Sequence, residues 1–336
     1  MTIPFFKPIY TEDDRYYAAV FDVIKSGQYI MGEEVKRFED KVKAFYNVKH
    51  AIGCNSGSDA LYMACRASKG RSDHNTMTVP ALTFIATAEA PKRAGFDVCL
   101  TDVDDNTLCS TTVGIAVDLY GNSSCITYMN GKTRSGHIQD MAQSFGGPYG
   151  GYLAGCLSFF PTKILGGIGD GGMVITNDDD CADAIRSIQQ HGRSKENKYE
   201  YERHGINSRL DAIQAAVLNV RIDGILDELV RRKELAEMYD SFLRDYVRLP
   251  YKDSVYNYYV IRSEHRDKIK KHLDSQNIGC MIYFPKALNE YDLFPDAECP
   301  IAEKAARENL ALPFYPNMPD SDVKIVCDAV KECLDK

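Results

Sequence analysis

Apolar positions in the first two hundred residues follow two rhythms. Residues 12–26 begin acidic, carry Ala18, Ala19, Val20, Val23 and Ile24, and meet Gly27, a pattern that predicts a helix with a glycine stop. Residues 32–46 place Val35, Phe38, Val42 and Phe45 at helical spacing and predict a second helix. After that, short apolar runs alternate with longer amphipathic ones. The runs at 51–54 (AIGC), 76–80 (TMTVP), 96–104 (FDVCLTDVD), 114–121 (GIAVDLYG), 125–129 (CITYM) and 136–140 (GHIQD) predict strands. SGSDALYMACRAS, TFIATAEAPKRAG and CADAIRSIQQHG (181–192) predict helices between or after them, and LAGCLSFFP and GGMVITN bracket a glycine-rich loop. Such alternation predicts an α/β domain on a mostly parallel sheet, with ligands outside the carboxyl ends of its strands.

From about residue 208 the rhythm becomes almost unbroken helix, interrupted mainly at Gly224. A shorter mixture follows: YNYYVIRS, a helix near 265–275, GCMIYFP and a terminal helix near 320–334. The expected organisation is a large domain, 1–240, and a small C-terminal α+β domain, 241–336.

Composition narrows the function. The 336 residues carry a net charge of -8, so no global field attracts nucleic acid or an anionic membrane. The start lacks a signal-peptide pattern, and no run of about 18 apolar residues predicts a membrane span. Eleven scattered cysteines without a CxxC pair, and seven histidines without close spacing, predict reduced thiols, a cytoplasmic setting and no bound metal.

The candidate chemistry concentrates in residues 138–172. Asp140 closes a strand in IQDMAQSFGG, and LSFFPTKILGGIGDGG holds Ser158, Lys163 and Asp170. These residue types suit pyridoxal 5'-phosphate (PLP): a carboxylate for the pyridinium nitrogen, a hydroxyl for phosphate and an amine for the aldehyde. Each has an ordinary alternative. Asp140 could cap a following helix, Gln143 could be a plain helix glutamine, and Lys163 could be a solvated loop lysine. Upstream, Asn55-Ser56-Gly57-Ser58-Asp59 runs into a helix N-terminus, where free N–H groups attract phosphate; Ser58 or Asp59 as a simple N-cap explains the same residues. The order Ser58, Asp140, Gln143, Ser158, Lys163 along one sheet edge, with Phe84 available to stack on a flat ring, favours the cofactor.

NSGSDAL, PALTFIATAEA, FDVCLTDVD, VDLYG, IQDMAQSFGG, LSFFPTKILGGIGDGG, HGINSRLDAIQAAVL and LALPFYPNMPDSDV resemble, in order, stretches of the DegT/StrS family of PLP-dependent nucleotide-sugar aminotransferases. The resemblance spans nearly the whole chain and implies PLP transferase fold type I, the aspartate aminotransferase-like fold. It implies that Lys163 holds the cofactor covalently, Asp140 pairs with its ring nitrogen, Gln143 reaches its 3-hydroxyl and Phe84 stacks on it. Ser58, the backbone of Gly57 and Asp59, and Ser158 are expected at the phosphate. Asn207 is expected at the phosphate in a neighbouring subunit, making a homodimer with shared active sites. Arg193, Arg203 and Arg209 are the candidate cations for the sugar's diphosphate, although Arg209 could instead pair with Asp211 or Glu202. Tyr283 and Tyr315 join Arg193 and Arg209 as expected substrate contacts.

The implied reaction moves an amino group from L-glutamate, leaving 2-oxoglutarate, to a keto-sugar linked to a nucleoside diphosphate. LGGIGDGG, in place of a threonine-containing loop ending in EGG, favours amination at C3 over C4. One departure stands out. Where the family often has His-Tyr-Pro-x-x-Leu-His, this chain has Tyr283-Phe284-Pro285-Lys286-Ala287-Leu288-Asn289. A sugar dehydratase or a non-catalytic PLP-binding sensor on the same fold are the alternatives; lysine rather than histidine at 163 argues against the first. The intact Asp140–Lys163 pair, with no DNA-binding module, argues against the second.

Overall fold

The computed structural model describes residues 2–8, 13–71, 75–110, 112, 114–123, 137–197, 199–252, 254–294 and 297–335. Two helices, α1 (Asp14–Ser26) and α2 (Glu33–Tyr46), open the chain. Asp13 caps α1 by accepting from the Arg15 N–H, and Gly27 ends it at φ 70°, a left-handed conformation that glycine adopts without strain. Then come β1 (His50–Cys54), α3 (Gly57–Ser68), β2 (Thr76–Pro80), α4 (Ala86–Arg93), β3 (Asp97–Thr101), β4 (Ile115–Val117), β5 (Ile138–Asp140), β6 (Ala154–Ser158) and β7 (Gly172–Thr176). The strand expected at 125–129 lies outside the described residues.

The main sheet has the order β1-β7-β6-β5-β4. Its β4, β5 and β6 are parallel, whereas β7 runs antiparallel to both β6 and β1. A second, parallel pair, β2 and β3, packs beside β4. The main sheet is mixed but mostly parallel, as expected: β1, β4, β5 and β6 share one direction and β7 is reversed. The cause is the lysine loop itself: residues 159–171 contain no crossover helix, and a parallel return to a neighbouring strand needs one.

Both faces of the sheet are covered. Along β7, Met173 and Ile175 join a core with Phe38, Val42 and Leu218, whereas Val174 joins the opposite core with Met63 and Ile185. Burial on both sides explains why this strand reads as continuous apolar sequence. Helix α5 (Asp179–Ile188) follows, and the long helical stretch resolves into α6 (Ala212–Arg221), a 3₁₀ turn at Ile222–Gly224, and α7 (Ile225–Leu243). A third core gathers Leu235, Tyr239 and Leu243 of α7 with the antiparallel pair β8 (Tyr259–Arg262) and β9 (Asn309–Leu312). Helices α8 (Arg266–Ser275), α9 (Pro300–Glu308) and α10 (Asp320–Leu334) complete the chain. GCMIYFP forms no strand beyond a single bridge between Met281 and Ala311. Among the described residues no helix is long and apolar enough to cross a membrane.

Candidate active site

The carboxyl ends of β1, β2, β4, β5 and β6 and the amino end of β7 meet around a cavity of about 430 Å³. That volume lies in the ordinary range for small-molecule sites. Gly57, Ser58, Phe84, Asp140, Gln143, Ser158, Lys163, Asp170 and Tyr283, all singled out from the sequence, line it.

Asp140 ends β5, in register with Val117 and Cys156 on its neighbours, which places it inside the sheet edge at 5 % exposure. The Ala142 N–H donates to its Oδ1 at 3.1 Å and the Thr87 hydroxyl to its Oδ2 at 2.9 Å. Thr87 in turn lies 2.9 Å from Thr83 Oγ1. Burial raises the Asp140 carboxyl above the usual carboxylate range, while those two donors and the positive charge of Lys163 act against the rise. Gln143 lies in a turn after β5, not in a helix, and its Oε1 accepts from the Tyr120 N–H at 2.6 Å.

Helix α3 begins at the cavity wall, with a change of cap. The N-cap is Ser56, whose hydroxyl accepts from the Asp59 N–H at 3.1 Å. The Asp59 N–H is thus engaged by the cap, and Asp59 does not line the cavity. Gly57 and Ser58, the first two helical residues, stay at the cavity wall. A Cβ on Gly57 would meet Ser158 Cβ at 2.8 Å, so glycine lets the helix start close against the end of β6.

Lys163 sits in a turn whose backbone is fastened on both sides. Its N–H donates to the Phe160 carbonyl at 2.9 Å, and the next N–H, of Ile164, donates to Asn257 Oδ1 at 3.1 Å. Its Nζ lies 6.0 Å from the centre of the Tyr258 ring. Phe84, also lining the cavity, is 55 % exposed, with its ring centre 6.1 Å from that of Phe284.

The structure does not bring every expected residue here. Tyr315, expected at the substrate, is 3 % exposed inside the third core, packed among apolar side chains, and does not line the cavity. Arg193, Arg203, Arg209 and Asn207 do not line the cavity of this chain. Arg193 leans on Gln190 Oε1 at 3.4 Å, Arg203 rather than Arg209 pairs with Glu202 at 3.9 Å, and exposed Asn207 bridges to Gln190 through its backbone. Asn289 turns away from the site and donates to Glu303 Oε1 and the Ala297 carbonyl.

Sequence reasoning passed over Thr87, Thr162, Asp118 and Tyr258, which also line the cavity. The threonines at 83 and 87, four apart around Phe84, were a readable signal for one wall. Tyr258 had none, because its place depends on a strand ninety-odd residues after Lys163.

Comparison with known proteins agrees with this geometry. The sequence model of the DegT/DnrJ/EryC1/StrS aminotransferase family matches residues 11–331. A UDP-2-acetamido-2-deoxy-3-oxo-D-glucuronate aminotransferase from Pseudomonas aeruginosa is 33% identical, over 94% of this chain and 95% of its own. A dTDP-3-amino-3,4,6-trideoxy-alpha-D-glucose transaminase from Streptomyces venezuelae is 33% identical over 95% of this chain and 92% of its own. A crystal structure of a DegT DnrJ EryC1 StrS aminotransferase from Brucella abortus superposes with a TM-score of 0.87 at 32% identity, covering 96% of each chain.

Proposed function

The chain belongs to the DegT/DnrJ/EryC1/StrS aminotransferase family, and from that premise we propose that it holds PLP in this cavity and moves an amino group from L-glutamate to a nucleoside-diphosphate-linked keto-sugar, at C3. The observation that carries the reading is a buried acid, Asp140, under the field of the Lys163 amine, in one cavity with the start of α3. Relatives whose names specify 3-oxo or 3-amino sugars support the C3 position.

The residues present fit the cofactor. A buried carboxylate with two donors suits a protonated ring nitrogen, the exposed face of Phe84 suits a flat ring, and Gly57 with Ser58 suits a phosphate. Ser158 would join that phosphate, Gln143 would reach the 3-hydroxyl, and Lys163 would hold the aldehyde. When bound, PLP supplies the electron sink that makes a substrate Cα–H acidic. Asp140 keeps the ring nitrogen protonated by opposing charge. The Lys163 amine, when free, would take the proton from the amino donor's Cα and return it as a general base and acid.

A homodimer is part of the proposal. Tyr17, Phe21 and Ile24 form an exposed stripe on α1 at 63%, 62% and 52%, beside exposed Tyr29, Ile30 and Met31. A second copy covering this apolar surface would bring Asn207, Arg193 and Arg209 toward a neighbouring cavity. The division into 1–240 and 241–336 is likewise proposed, supported by the third core that begins within α7. A cytoplasmic setting completes the reading.

Purified protein mixed with PLP is expected to develop a visible band, and glutamate alone is expected to release one equivalent of 2-oxoglutarate per site. Lys163→Ala abolishes the borohydride-reducible link; a link that persists in this variant defeats the assignment. A panel of 3-keto and 4-keto nucleotide-sugars decides the position of amination.

A further inference from the structure

The base of the loop that carries Lys163 is closed by its own backbone. The Phe159 N–H donates to the Gly171 carbonyl at 2.8 Å, and the Gly167 N–H to the Phe159 carbonyl at 2.7 Å. Within the loop, side chains from distant elements take over. The Ile164 N–H donates to Asn257 Oδ1 at 3.1 Å, and the Ile164 carbonyl accepts from Arg221 Nη2 at 2.7 Å. Further along, the Ile168 N–H donates to Gln214 Oε1 at 3.0 Å. Gln214 and Arg221 lie two turns apart on α6, so one face of that helix meets both points of the loop.

The side chains on Ile164 are held in turn. Buried Arg221 also bonds Glu228 Oε2 at 2.9 Å. Asn257 is buried just before β8, between Tyr256 and the strand, and Tyr256 and Tyr259 belong to the third core. Its N–H donates to the Tyr120 carbonyl at 2.9 Å, and buried Arg232 of α7 donates to the Tyr256 carbonyl at 3.1 Å. Burying polar side chains costs free energy unless they are hydrogen-bonded. Here two of them, from unrelated elements, converge on the backbone of the one residue that follows Lys163. Neither Asn257 nor Arg221 lines the cavity.

A peptide unit is planar, so each Cα joins two rigid planes. The plane before the Lys163 Cα is held by the Lys163 N–H on the Phe160 carbonyl, at 2.9 Å. The plane after it is held by the Ile164 N–H on Asn257. With both planes held, the direction in which the Lys163 side chain leaves the backbone is set.

We propose that Asn257 and Arg221 are positioning residues, which grip Ile164 on both sides, aim Lys163 into the cavity and tie that aim to the third core. They move no proton and touch no ligand. They restrict the places the amine can occupy, which raises the fraction of time it spends within reach of an aldehyde. The role rests on the reading of Lys163 proposed above.

The test is a cycle of four apo-proteins: wild type, Asn257→Ala, Lys163→Ala and the double variant, each titrated with PLP by equilibrium dialysis. Where Lys163 is present, Asn257→Ala is expected to weaken PLP binding about tenfold, the scale of one hydrogen bond, and to slow formation of the borohydride-reducible link. In Lys163→Ala, PLP is held only through its ring and phosphate, and the same substitution is expected to change affinity by less than about twofold. Asn257→Asp keeps the acceptor and is expected to restore the wild-type affinity. Should Asn257→Ala not fold, Arg221→Leu takes its place in the cycle with the same expectation. Equal weakening with and without Lys163 overturns the proposal, because the grip would then shape the cavity as a whole, and unchanged affinity in both backgrounds overturns it too. Wild-type protein that takes up no PLP defeats the functional reading and this proposal together, so the two failures are told apart.

Discussion

Asp118 and Asp140 end neighbouring parallel strands, one residue out of step, and they have opposite fates. In register, Val117 faces Asp140, so Asp118 extends one residue beyond the pairing; it too lies at the cavity wall, but its carboxyl is held by a different set of side chains. Its Oδ2 accepts from Ser144 Oγ at 2.6 Å, Gln139 Nε2 at 2.9 Å and Ser123 Oγ at 3.3 Å. Its Oδ1 is buried with no hydrogen-bond partner among the described residues. Burial, with the charge of Asp140 nearby, pushes Asp118 up to about 7, although three neutral donors pull it down. Asp140 shares the burial but has a cation in its field. Depth alone does not make a functional acid. The Lys163 charge opposes the rise that burial imposes on Asp140, whereas Asp118, held by two hydroxyls and an amide, serves as a structural post. Asp118 braces Gln139 and Ser144, which flank the segment holding Asp140 and Gln143.

Replacing each acid by its amide breaks the comparison most directly. Asp140→Asn removes the charge beneath the proposed ring nitrogen and is expected to lower both half-reactions about 10²–10³-fold, the scale seen when one preorganised electrostatic partner is lost. Single-turnover rates with glutamate measure it; full rates in the variant would erase the distinction between the two acids. Asp118→Asn is expected to leave those rates within about tenfold, because the amide oxygen still accepts from Ser144, Gln139 and Ser123.

The effect of Asp118→Asn falls on stability instead, with a definite sign. The folded value, about 7, lies above the ordinary carboxylate value of 3.8. Folding therefore favours the protonated form, and this contribution is fully present below pH 3.8 and lost as pH rises toward 7. The amide does not titrate. Stability of Asp118→Asn relative to wild type should accordingly rise between pH 5 and 8, by on the order of 2 kcal/mol. Chemical denaturation midpoints across that interval measure it; a flat difference would show that Asp118 is ionised throughout.

The same contrast shows how far the sequence could be read. IAVD and HIQD are both short apolar strands closed by aspartate, and nothing local says which acid lies in the field of Lys163. Asp140 was legible because Gln143, Ser158 and Lys163 follow it in order, and strand carboxyl ends gather such residues on one edge. Most helices and strands of the large domain could be placed from periodicity, since burial on one or two faces writes itself into the spacing, whereas α9 and β9 were not read. What stayed hidden depends on contacts between distant elements. Thr87 meets Asp140 across 53 residues, and the pairing of Tyr258 with Thr162 spans 96. The inward packing of Tyr315 was hidden for the same reason: its neighbours in the third core come from distant elements. The direction of β7 was readable in principle, from a connection with no helix.

The finest test is Thr87, whose hydroxyl is the one side-chain donor to Asp140 among the described residues and whose own partner is Thr83. Thr87→Val preserves shape and removes the O–H. A hydrogen bond to a charged group contributes about 1.5–3 kcal/mol, but the cavity remains open to water that can replace part of it. The ionised form of Asp140 loses a stabilising donor, so burial raises its pKa further and the carboxylate becomes less available to a cationic ring nitrogen. The expected outcome is a drop of about tenfold in the glutamate half-reaction and weaker PLP retention on dialysis, with the denaturation profile between pH 5 and 8 still that of wild type because Asp118 is untouched. If Thr87→Val instead changed that profile while sparing the rate, the donor would serve the fold rather than the charge, and Asp140 would belong with Asp118 as a second post.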